Sequence, residues 1–118
     1  MLSYANARTA FKAHLGEYYA PPDILDGTEG LNRHMYLGHL LYEMVEAQAS
    51  DDFRHRVVAL VENLHMDGDD LCKELVHVSF FENMDHLSRQ DVEAIRVMFS
   101  SAMRKVMDDA FRQLGYAR

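Results

Sequence analysis

Cysteine is almost absent from this chain of 118 residues; Cys72 stands alone. An internal disulfide and a cysteine-based zinc cage are therefore excluded, and the natural compartment is cytoplasmic. Proline is nearly as scarce. Pro21 and Pro22 sit together in the stretch PPDILDGTEG, and none occurs from Leu31 to Arg118. With few runs of alternating polarity, that absence points to an all-α fold. Bases are also short. Twelve Lys and Arg oppose nineteen Asp and Glu, a net charge of −7, and no Lys or Arg occurs from Ala13 to Asn32. Binding to nucleic acid requires clustered bases to meet phosphates, so no direct nucleic-acid contact is expected, and none with an anionic membrane surface. No apolar run approaches eighteen residues, and the first residues, MLSYANARTAFKAHLGEYY, lack the basic and apolar blocks of a signal peptide. Glycine-rich nucleotide loops and the Gly-x-Ser-x-Gly nucleophile motif are missing too, so catalysis is not expected.

What is present suits a soluble globule: 48% of residues are hydrophobic and 26% charged. Residues 1–118 are read as a single-domain bundle of about five helices, long enough to bury a core without staples. The first helix is expected over about Ser3 to Tyr18, with Tyr4, Ala7, Phe11 and Leu15 in phase. The second runs from about Leu31 to Ala49, burying Leu37, Leu41, Met44 and Val45. Ser50 or Asp51 caps the third, striped by Phe53, Val57, Leu60, Val61 and Leu64. The turn at Asp67-Gly68 leads to a fourth helix, about Asp69 to Met84, apolar over most of its girth (Leu71, Cys72, Leu75, Val76, Val78, Phe80, Phe81) and so expected at the centre. A strand over Leu75 to Phe81 is its rival, given the β-branched and aromatic content. Ser88 caps the last helix, which carries Val92, Ile95, Phe99, Ala102, Met103, Val106, Ala110 and Leu114 in phase up to Gly115. On its outer face Glu93 is expected to pair with Arg96, and Asp108 with Arg112.

The densest chemistry lies from Glu62 to Leu87, with seven acids against the single base Lys73. Two Glu-x-x-His tetrads occur there, Glu62 to His65 and Glu74 to His77, a spacing used by di-iron and di-manganese bundles. Glu43 or Glu46, and Glu93, are the carboxylates that would complete such a site. Glu62 falls off the apolar stripe, however, and the two tetrads lie at different distances from the Asp67-Gly68 turn. No metal and no cofactor are therefore expected, with a small metal-binding enzyme kept as the alternative. An EF-hand is excluded, because Cys72 and Val78 fall where Gly and Glu are required. Cys72 is read as a small buried hydrophobe, Gly38 as a position of close helix packing, and Tyr18, Tyr19, Tyr36 and Tyr42 as edge packing or interface anchors.

The unbalanced acids favour a basic protein partner, because complementary potential speeds encounter and rejects wrong partners. Glu62, Asp67, Asp69, Asp70 and Glu74 form the first candidate contact, with Asp23, Asp26 and Glu29 of the proline loop as a second edge. The segment Val61-Glu62-Asn63-Leu64, the turn MDGDD, and then Leu-x-x-x-Leu-Val-x-Val-Ser-Phe-x-Glu-Asn-Met resembles small helical immunity proteins of bacterial polymorphic-toxin and contact-dependent inhibition systems. The resemblance covers roughly Phe53 to Leu87. It implies a non-catalytic cytoplasmic inhibitor that binds a cognate toxin domain, often a nuclease, one to one. The chain itself would be a monomer or weak dimer, and a self-associating adaptor bundle is the further alternative.

Overall fold

The computed structural model describes residues 1–22, 26–27 and 30–115, with the side chains of 26, 27, 30 and 31 excepted. Six α-helices are found among them. α1 (Ala7–Leu15) is flanked by single 3-10 turns, Tyr4–Asn6 and Gly16–Tyr18. A two-residue antiparallel ladder, β1 (Asp26–Gly27) with β2 (Gly30–Leu31), precedes α2 (Arg33–Met44). α3 (Asp51–Met66) and α4 (Asp70–Val76) follow. α4 continues as a π-helical turn, His77–Phe81, and a 3-10 turn, Glu82–His86; α5 (Arg89–Arg96) and α6 (Ser101–Leu114) complete the bundle. The fold is all-α, and the strand expected as a rival over Leu75 to Phe81 does not form.

The helix starts are written into short polar side chains. Asn32, Ser50, Asp69, Ser88 and Ser100 each accept the backbone N–H three residues on, satisfying a donor that the first turn leaves without a helical partner. Gly115 ends α6 in the left-handed conformation, φ 75°. Gly68 serves differently. A Cβ there would lie 2.1 Å from the Leu64 carbonyl oxygen and 2.4 Å from Cys72 Cβ, so only glycine lets α3 and α4 meet this closely.

The chain start docks on this turn. Leu2 donates to the Asp67 carbonyl and accepts from the Asp69 N–H, both at 2.8 Å. Asp69 then joins the chain start to the start of α4, its carboxylate accepting from Tyr4 N at 3.0 Å and from Cys72 N at 2.9 Å.

The core is continuous across the bundle. Phe11 stacks on Tyr36, and Phe80 and Phe81 of the π turn meet Phe99 and Phe111 edge-on. α4 with its π turn packs on α2, α3 and α6, the central place its apolar girth predicted. The girth is narrower than expected, because Leu71 and Val78 face outward. Gly38 of α2 is buried against the π turn, where a Cβ would stand 3.0 Å from Asn83 Nδ2.

The expected last helix is two helices. The chain turns between Val97 and Phe99, and Ser100 opens α6 afresh. The break resets the phase: Met103, Met107, Ala110 and Phe111 are buried, whereas Ala102 is exposed and Val106 half-buried. It also changes the ion pairs. Asp108 reaches across to Arg96, receiving Nε at 2.9 Å and a terminal nitrogen at 2.8 Å, while Arg112 pairs with Asp109. The Glu93–Arg96 pair forms as expected, at 3.7 Å.

Candidate functional site

The acidic turn is more structural than its charge suggests. Glu62 accepts from Ser100 N at 2.7 Å, so its carboxylate supports the start of α6 from across the bundle. Asp67 is exposed and accepts from Asn63 Nδ2 at 3.1 Å. Asp69 caps α4 and holds Tyr4, and these two backbone donors keep its carboxyl below the ordinary carboxylate range. Asp70 and Glu74 are different. Both are exposed, with no side-chain hydrogen bond or ion pair among the described residues. Asp23 and Glu29 lie outside the described residues, and so does the side chain of Asp26.

Asp70 and Glu74 begin a row. Spacing of four puts Asp70, Glu74, Val78 and Glu82 along one face of α4 and its extension, all of them exposed. Beside that row runs a groove of about 650 Å³ between α2 and the π turn. Pro22, Met35, Tyr42 and Val78 give it an apolar lining, and His34 and His39 add polar edges. Met35, Tyr42 and Val78 are 57%, 40% and 42% exposed, large apolar side chains left in water on facing walls. On the α2 wall His39 pairs with Glu43. Such an apolar floor with a polar rim is the ordinary anatomy of a protein-binding patch. Neither Met35 nor Val78 was legible as an exposed residue. The pattern marks a side chain as apolar, and only the packing decides whether a neighbouring helix covers it.

The tyrosines divide accordingly. Tyr36 is buried, its hydroxyl accepting from Ala20 N at 3.1 Å. Tyr18 packs edge-on against Phe53 and Tyr19 against Tyr36, leaving Tyr42 as the one open anchor of the four.

The tetrads are not separated as expected. His65 and His77 meet, Nε2 to Nε2, at 3.3 Å. The two residues sit at unequal distances from the Asp67-Gly68 turn, but a helical side chain leans toward its own helix N-terminus. On α3 that direction leads away from the turn, and on α4 it leads toward the turn, so the two imidazoles converge. Their glutamates do not follow, since Glu62 is held by Ser100 and Glu74 faces solvent. Among the described residues no group of three or more His, Cys, Asp and Glu is placed to hold a metal ion. Burial pushes the pKa of both histidines down; their mutual repulsion and Lys73 lower that of His65 further, while Glu82 works the other way on His77.

Cys72 is fully buried, and burial aided by Asp69 pushes its thiol up to about 11. A thiol held protonated is a poor nucleophile. Four of the other five histidines have polar partners, His14 with Asn63, His34 with Ser79, His39 with Glu43 and His55 with the Asp51 carbonyl, and His86 is exposed. No helix among the described residues is long and apolar enough to cross a membrane.

No curated protein and no solved structure matches the chain. A family model matches residues 8–114, from early in α1 to the end of α6. The chain therefore belongs to the family described as Domain of unknown function (DUF7674).

Proposed function

We propose that this chain is a non-catalytic binding module, an immunity protein that neutralises a cognate bacterial toxin domain of basic, nuclease type in the cytoplasm. The observation that carries the reading is the apolar α2 groove lying beside the acidic row of α4. A nuclease must present bases where it grips phosphate. The exposed carboxylates Asp70, Glu74 and Glu82 offer such a surface a substitute for the nucleic-acid backbone, while Met35, Tyr42 and Val78 supply the dry centre that a tight complex requires. Neutralisation follows by occlusion, without any bond made or broken. Asp67 is a further exposed acid for the same partner, and Asp23, Asp26 and Glu29 of the proline loop are proposed as its second edge from the sequence alone. Glu62 and Asp69 support the fold instead, so their loss acts through stability.

The test is coexpression with the C-terminal domain of the protein encoded immediately upstream. That domain alone arrests growth on this reading, and the chain restores it. A harmless domain, or one that kills equally with and without the chain, contradicts the reading.

A further inference from the structure

Both walls of the groove between α2 and the π turn are helical faces. On α2, His34, Met35, Gly38, His39 and Tyr42 recur at three- and four-residue spacing. Val78 and Ser79 of the π turn and Asn83 of the 3-10 turn after it face them. Gly38 keeps the walls close, since a Cβ there would stand 3.0 Å from Asn83 Nδ2 and 3.5 Å from the Ser79 carbonyl oxygen. The polar groups of the walls are partnered within the fold. His34 Nδ1 meets Ser79 Oγ at 2.5 Å, Asn83 Nδ2 donates to the Ser79 carbonyl at 2.8 Å, and His39 pairs with Glu43. The apolar side chains left in water are Met35 and Tyr42 on one wall and Val78 on the other.

Resting on the binding role proposed above, we infer that the partner enters this groove as an amphipathic α-helix, its apolar stripe flanked on one side by a row of Lys or Arg. An extended segment fits poorly. The walls spend their backbone groups on their own turns, so a strand finds no ladder to join and loses water from its N–H and C=O groups without replacement. A helix brings its backbone bonds with it and asks only for apolar contact. Met35 and Tyr42 stand two helical turns apart on α2, about 10 Å at the rise of an α-helix, the interval at which an apolar stripe repeats on a partner helix. Charge sets the flank. Asp70, Glu74 and Glu82 run along the Val78 side, whereas Glu43 on the α2 side is engaged by His39. Bases at four-residue spacing on the α4 side of the incoming helix therefore meet carboxylates. A second copy of this chain has no such helix to offer, because α5 and α6 bury their apolar faces in its own core.

A synthetic helix titrated into the isotopically labelled full chain tests the inference by NMR. The probe is an alanine-based peptide of about eighteen residues, about five turns, with Leu at every third or fourth position and Lys at four-residue spacing along one flank. Micromolar binding is expected, with shifts at Met35, Tyr42 and Val78. A scrambled peptide of the same composition should bind at least tenfold more weakly. Tyr42→Ser with Val78→Ser, both at exposed positions, should cost at least tenfold, Glu74→Lys should weaken binding, and Lys105→Gln should leave it unchanged. Equal binding of the scrambled peptide, shifts confined to residues outside the groove, or affinity of millimolar or weaker overturns the helical occupant. So does a dimer of the chain alone that Tyr42→Ser dissociates, which makes a second copy the occupant. The growth test stays separate: a chain that rescues growth but ignores the peptide loses the helix and keeps the neutralising role, and one that binds the peptide but rescues nothing does the reverse.

Discussion

Asp69 shows how much one side chain can hold. Its carboxylate caps α4 and ties down the Tyr4 backbone, while its own N–H binds Leu2. Asp69→Ala should lower the thermal midpoint, and Asp69→Asn, which keeps one acceptor oxygen, should lower it less; a thermal melt followed by circular dichroism measures both. The same carboxyl titrates below its ordinary value of 3.8 in the fold. Its contribution is therefore complete above that value and is lost as pH falls through the lower folded value, so Asp69→Asn should flatten the acid limb of stability against pH. Cys72 makes the complementary case. With no exposed surface and a thiol raised to about 11, it should react with a disulfide reagent only as fast as the fold opens. Labelling at the unprotected-thiol rate under native conditions would contradict that burial. An acid beside Gly68 was legible as the cap of α4, but the sequence leaves Asp67 and Asp69 equal candidates, and the fold uses Asp69. The use of Glu62 as a remote support for Ser100 was not, because nothing local links residues 38 positions apart.

At the scale of elements, the helix starts and the buried stripes of α1 and α3 follow directly from caps and from 3.6-residue periodicity. Two features escaped that reasoning. The apolar repeat runs through Ile95, Phe99 and Met103 without a gap, so periodicity alone joins α5 to α6; the break rests on Ser100 and on Glu62 behind it. Ser100→Ala should cost about 1 kcal/mol, as loss of a serine cap does, measured by denaturant unfolding. The His65–His77 contact escaped for another reason. Distance from a turn predicts where Cα atoms lie, and the lean of the side chains decides whether they meet. Both histidines titrate below their ordinary value of 6.5 in the fold. The unfolded chain then takes up protons first, so stability is complete above that value and falls as pH drops through it. Replacing both with leucine should change stability at pH 8 by about 1 kcal/mol or less and abolish the loss below pH 6.5. The π turn between them and the core is less forgiving. Phe80, fully buried among Phe81 and Phe99, should cost about 3–5 kcal/mol as Phe80→Ala.

Across the whole molecule the charge is polarised. Residues 1–88 hold six bases against fifteen acids, a net −9, and residues 89–118 hold six against four, a net +2. The acidic share includes the row on α4, so the basic partner proposed above would be steered toward the groove and away from α5 and α6. The acidic balance was legible in composition. Which acids face solvent was not, because the exposed Asp70 and Glu74 look the same in sequence as Glu62 and Asp69, which the fold uses internally. The most direct measurement is the affinity of the chain for its toxin domain, with and without the substitutions Asp70→Lys, Glu74→Lys and Glu82→Lys together. The account predicts a loss of at least a hundredfold, accompanied by weaker dependence on salt. Affinity and salt dependence unchanged by the triple reversal would contradict it.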